Sequence, residues 1–114
     1  MKNLVTPLGY DRLFDSFELS LKADGLRPHT ISCYIRDVRR FWGYAQPKDP
    51  RSVTADQIRE FVTSLRDQLA PKTVHTIQIG LRRFFKFLIA EGELESDPSQ
   101  TVRLTRFKVT PQPT

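Results

Sequence analysis

Apolar residues recur every three or four positions along most of the chain, in four stretches separated by glycine and proline. Leu13, Phe14, Phe17 and Leu21 predict a first helix from about Tyr10 to Asp24, with Gly25 as its stop. Ile31, Tyr34, Ile35, Val38, Phe41, Trp42 and Ala45 form the stripe of a second helix. It starts at Pro28, whose fixed φ suits a first helical position, and cannot continue through Pro47 and Pro50. A shorter third helix runs from about Thr54 to Leu65, with Thr54 and Gln57 spaced as a capping box and Ile58, Phe61, Val62 and Leu65 facing inward. A fourth runs from Pro71 to about Glu91, striped by Val74, Ile77, Leu81, Phe84, Phe85 and Leu88 and stopped by Gly92. Phe87 falls off that stripe, which leaves it for helix one or for a partner. Asp97-Pro98 marks a turn, with a last short helical turn expected near Ser99 to Val102.

No segment alternates at period two for long enough to predict a strand. The expected fold is all-α, four or five helices in two hairpins, one-two and three-four, packed on each other. Residues 1–9 read as a disordered lead-in, residues 10–102 as the domain, and residues 103–114 as a linker with two prolines.

The second and fourth helices repeat one motif 43 residues apart. Leu26-Arg27-Pro28-His29-Thr30-Ile31 returns as Leu69-Ala70-Pro71-Lys72-Thr73-Val74. Val38-Arg39-Arg40-Phe41-Trp42 returns as Leu81-Arg82-Arg83-Phe84-Phe85, and Tyr44 returns as Phe87. Each copy carries a starting proline, an apolar stripe and a late pair of arginines.

Charge sharpens this picture. Lys and Arg outnumber Asp and Glu by 18 to 13, for a net charge of +5 and a pI near 9.7. Such a balance favours an acidic partner, nucleic acid first. From Pro71 to Ala90 there are Lys72, Arg82, Arg83 and Lys86 and no acid. Helix two has Arg36, Arg39 and Arg40 against Asp37 alone, whereas helix one is slightly acidic. At 100° per residue, the face of helix four opposite its stripe holds Lys72, His75, Thr76, Ile79, Arg83 and Lys86, with Arg82 at the edge. The matching face of helix two holds His29, Ser32, Cys33, Arg36, Arg40 and Gly43, with Arg39 at the edge. Cations suit phosphates, and His, Ser and Thr near a helix start suit base edges in a major groove. Most charged helix faces are merely solvated; the repetition on two helices favours a grip on a polyanion.

Other chemistry finds little support. His29, His75 and Cys33 are the only soft metal ligands and lack metal-site spacing, so no metal or other cofactor is expected. Cys33 is the only cysteine; it permits no intrachain disulfide and fits a reducing cytoplasm. No apolar run approaches the roughly 18–20 residues that span a bilayer, so no membrane partner is expected. No glycine-rich phosphate loop is present, and Trp42 at a core position reads as packing.

Gly25-Leu26-Arg27-Pro28-His29-Thr30-Ile31, followed by Tyr34, Asp37, Val38, Arg39, Arg40 and Phe41, resembles the N-terminal core-binding domain of tyrosine recombinases of the phage-integrase and Xer type. Leu69 to Val74 and Leu81 to Leu88 resemble that domain's last long helix, and Gly92 and Asp97-Pro98 the turn after it. Arg27 departs from the serine often found there. The resemblance covers about Leu13 to Val102. It implies a SAM-like orthogonal bundle that clamps one face of double-stranded DNA, with other recombinase subunits on the same DNA. It also implies that catalysis belongs to a separate C-terminal domain, expected to lie beyond this chain, so the chain is not an enzyme on its own. Tyr10, Tyr34 and Tyr44 are not expected to act as nucleophiles; Tyr34 and Tyr44 are placed on the core side of helix two. The DNA contacts expected are His29, Ser32, Arg36, Arg39, Arg40, Lys72, His75, Thr76, Arg82, Arg83 and Lys86. Two other classes remain: a SAM-like protein-interaction module, which would show a large exposed apolar patch, and a helix-turn-helix regulator, for which no compact three-helix unit with a tight turn is visible.

Overall fold

A computed structural model describes residues 10–108. The expected lead-in, 1–9, and the end of the expected linker, 109–114, lie outside the described residues. Four α-helices follow one another: α1 Tyr10–Ala23, α2 Pro28–Ala45, α3 Ala55–Arg66 and α4 Pro71–Ala90. Among the described residues there is no strand. As the repeat implies, α2 and α4 are the longest, at 18 and 20 residues.

The helix ends have local causes. Gly25 at φ 82° and Gly92 at φ 80° adopt the left-handed conformation that closes a helix. After α1, Leu26 N–H donates to Leu21 O and Gly25 N–H to Lys22 O; after α4, Glu93 N–H donates to Leu88 O and Gly92 N–H to Ile89 O. Both are Schellman closures. The foreseen capping box is present at α3: Thr54 Oγ1 accepts from Gln57 N–H, and Gln57 Oε1 accepts from Thr54 N–H, each at 3.1 Å. A 3₁₀ turn at Pro50–Ser52, not foreseen, is capped by Asp49, whose Oδ1 accepts from Arg51 N–H. The segment Ser99 to Val102 forms turns instead of the expected helical turn; Asp97 Oδ1 accepts from both the N–H and the hydroxyl of Ser99.

The core lies between α2 and α4, which form the most extensive helix pair, with α1 and α3 packed around them. Close approach is possible because α4 has a glycine at the contact: a β-carbon on Gly80 would stand 3.3 Å from Tyr34 Cδ1 and 3.8 Å from Asp37 Cβ. Gly80 is the repeat equivalent of Asp37, so the helices meet at matching positions. The aromatic contacts obey the same exchange: Trp42–Phe84 at 5.2 Å and Phe41–Phe85 at 6.3 Å map onto each other through the 43-residue offset. Trp42 is fully buried among Tyr10, Phe14, Phe41, Phe84 and Phe85, mostly edge to face. Phe87 packs on α1, its ring 5.4 Å from Phe17. Tyr44, expected on the core side, is half exposed, because α3 covers only one edge of its turn; its ring leans on Phe61 at 5.3 Å.

Candidate nucleic-acid interface

The two basic helices begin alike. Each has proline in its first turn, and neither Arg27 nor Ala70 supplies a side-chain cap. Their first-turn N–H groups therefore lack the side-chain acceptor that α3 has, and an uncapped helix start suits an anion. Along α4, Lys72, Thr76 and Lys86 are exposed and Ile79 and Arg83 half-buried, in a strip with no acid on the helix. Lys72 and Lys86 make no ion pair among the described residues. Along α2, His29, Ser32, Arg36 and Arg40 are exposed. Cys33 is half-buried, its Sγ 3.6 Å from His29 Nε2.

Several of the expected contact residues also serve the bundle. Arg39 pairs with Asp11 at 3.6 Å and lies over the Phe14 ring at 4.7 Å, binding α2 to α1. Arg83 pairs with Asp24 at 2.8 Å across the α1–α2 turn. Arg36 donates to Asp37 Oδ1 at 3.2 Å. Asp37 is almost wholly buried, and its Oδ2 finds no hydrogen-bond partner among the described residues. Burial pushes its carboxyl pKa up, against the lowering effect of Arg36 and Arg40. Thr76 donates its hydroxyl back to Lys72 O.

The chain after the turns forms an extended strap along α4, a feature that helical periodicity could not reveal. Arg82 donates to Val102 O at 2.9 Å, and Gln78 Nε2 donates to Arg103 O at 2.9 Å. Gln78 Oε1 accepts from Thr105 N–H at 2.8 Å, and His75 Nδ1 donates to Thr105 O at 2.9 Å. The Phe107 ring meets His75 edge to face at 5.0 Å. Residues 82, 78 and 75 mark successive turns of one flank of α4, so the strap runs back toward the start of that helix. His75 and Arg82 thus face the strap, while Lys72, Thr76, Arg83 and Lys86 continue the strip beside it. The buried Gln78 carries this arrangement and has no counterpart among the charged residues singled out from the sequence.

An all-α bundle with a duplicated basic helix defines a small helical domain built to present two equivalent faces. The phage integrase N-terminal SAM-like domain matches residues 14–92, and the chain belongs to that family. It is similar to tyrosine recombinase XerC of Pelobacter propionicus, 25% identical over 93 residues, covering 76% of this chain and 31% of the relative. Tyrosine recombinase XerD of Listeria monocytogenes is 28% identical over 93 residues, covering 77% and 31%. Tyrosine recombinase XerC of Alcanivorax borkumensis is 34% identical over 82 residues, covering 68% and 26%. The chain therefore spans less than a third of the length of these curated relatives. No solved structure gives a significant match. No helix among the described residues is long and apolar enough to cross a membrane.

Proposed function

We propose that this domain binds double-stranded DNA through the exposed faces of α2 and α4, as the DNA-gripping part of a site-specific tyrosine recombinase. The observation that carries the reading is the strip Lys72, Thr76, Ile79, Arg83 and Lys86 on α4, a helix that contributes no acid of its own, matched by His29, Ser32, Arg36 and Arg40 on α2. Phosphates take the cations and the uncapped first turns, while Ser32 and Thr76 meet base edges. Arg39, His75 and Arg82 support from the flanks, since each also holds α1 or the strap in place. Other recombinase subunits on the same DNA are the protein partners, bond breakage belongs to another domain of the recombinase, and the compartment is the cytoplasm. The competing interaction-module reading expects a large apolar patch; among the described residues the exposed large apolar side chains, Leu19, Tyr44 and Ile89, come from three different helices.

The test is a titration of the chain against labelled duplex DNA at about 50–200 mM salt. Some four to six phosphate contacts from α2 and α4 contribute about −4 to −5 to the log–log salt slope. Arg83→Ala and Lys86→Ala each make the slope about one unit shallower and weaken all sequences alike. A flat salt response, or tight binding to a protein partner with none to DNA, overturns the proposal.

A further inference from the structure

We propose that the strap is a third DNA-contacting element, with Arg103, Arg106 and Lys108 neutralising phosphates beside α4. The inference rests on the reading of α2 and α4 as a DNA face and extends it to a segment that sequence composition marks only as a linker. Three observations carry it.

The first is that the strap is held in place. Gln78 grips it with both ends of one buried amide, Arg82 and His75 bind the carbonyls of Val102 and Thr105, and Phe107 rests on His75. A segment already ordered loses little conformational freedom when it binds, which favours affinity.

The second is the direction of its side chains. Thr105 is buried against the bundle, while Arg103, Arg106 and Lys108 are exposed. No acid follows Asp97 in the chain, so the strap is a row of positive charge without compensation. The flank of α4 that it covers adjoins the strip of Lys72, Ile79, Arg83 and Lys86 on the helical wheel. A polyanion on that strip lies within reach of the strap.

The third is a cleft where the strap begins. An open cavity of about 390 Å³ lies between α3 and the strap and is lined by Arg59, Arg66, Arg103, Thr63 and Thr101. Arg59 is held there by Asp56 at 2.9 Å and donates to Thr101 O and Oγ1 at 3.4 Å, which fixes one guanidinium at the cleft. Arginine forks match the oxygens of a phosphodiester; with Arg59 engaged by Asp56 and Thr101, Arg66 and Arg103 are the forks left for a phosphate. The cleft extends the positive surface from the strap onto α3, a helix whose overall charge balance hides this flank.

The experiment uses the whole 114-residue chain and a labelled duplex of about 20–30 base pairs, with polyglutamate as a second anionic probe. The triple variant Arg103→Gln, Arg106→Gln, Lys108→Gln is compared with the wild type across the same salt range. Each lost phosphate contact removes about 0.9 from the slope, so the triple variant is shallower by about two to three units. Gln78→Ala keeps every charge but releases the strap, and binds duplex several-fold more weakly. Circular dichroism of both variants shows native helix content. A triple variant with wild-type slope and affinity overturns the strap proposal while leaving the DNA face intact. A wild-type chain that binds no DNA overturns both. Equal affinity of the wild type for polyglutamate and duplex, lost equally in the triple variant, replaces DNA with an acidic protein segment as the strap's partner.

Discussion

Gly80 is where the two repeated helices touch, and substitutions there test whether that contact organises the domain. Alanine in a helix interior is favoured over glycine by about 1 kcal/mol. Against this gain, the new methyl stands 3.3 Å from Tyr34 Cδ1. Tyr34 is only half-buried, so its ring can swing outward by a few tenths of an ångström, at about 0.5–1.5 kcal/mol of rotamer strain. Gly80→Ala should therefore lie within about 1 kcal/mol of the wild type. Gly80→Leu is different, because Tyr34 Cα at 3.6 Å and Asp37 Cβ at 3.8 Å belong to the facing helix itself and cannot swing away. Overpacking of about 3 kcal/mol, less the helix-propensity gain, leaves a net loss of about 2 kcal/mol. For a domain of this size that lowers Tm by about 8–16 °C. Thermal unfolding followed by circular dichroism reads both variants. A leucine variant as stable as the alanine variant refutes the close α2–α4 contact.

Three further outcomes follow from the same packing. Trp42→Ala should cost about 3–5 kcal/mol in urea unfolding, since its ring is fully buried between α1, α2 and α4; a loss below about 1 kcal/mol contradicts that burial. Asp37 has a folded-state pKa above its unfolded value, so the folded state holds more protons between the two. Wild-type stability should then fall relative to Asp37→Asn as pH rises from the ordinary carboxylate range through the raised folded-state pKa, whereas a pH-independent difference between the two refutes a buried, charge-penalised carboxyl. Asp24→Asn frees Arg83 from its 2.8 Å ion pair and removes an acid beside the DNA face. Affinity for duplex DNA should rise about two- to fivefold, the range of an exposed ion pair, and a fall in affinity contradicts the placement of Arg83.

Much of this architecture is legible in the sequence. The four helices start and stop within a residue or two of where glycine, proline and the capping box place them, because those residues act locally. The core is legible because a stripe of period 3.6 has one way to be buried. Partners of charged residues are not legible, since they depend on which elements meet. Arg39 turns to α1 and Arg83 to the α1–α2 turn, contacts no helical wheel can show. Asp37 is a middle case: counted among the charges of α2, it stands about 40° beyond Phe41 on the wheel, just outside the apolar stripe, and it is buried because Gly80 lets α4 come close to it. The strap is the least legible part. It is extended, bonds through backbone carbonyls and depends on one neutral side chain, Gln78, so neither periodicity nor charge marks it.

The central claim is that DNA lies along α2 and α4. The most direct measurement is the set of backbone amide NMR shifts as duplex DNA is added to the isotope-labelled chain. The largest changes should follow Ser32, Arg36 and Arg40 on α2 and Lys72, Thr76, Ile79, Arg83 and Lys86 on α4, with the outer faces of α1 and α3 little affected. Changes centred on Leu19 of α1 or on Glu60 of α3, with the α4 strip unmoved, would contradict it.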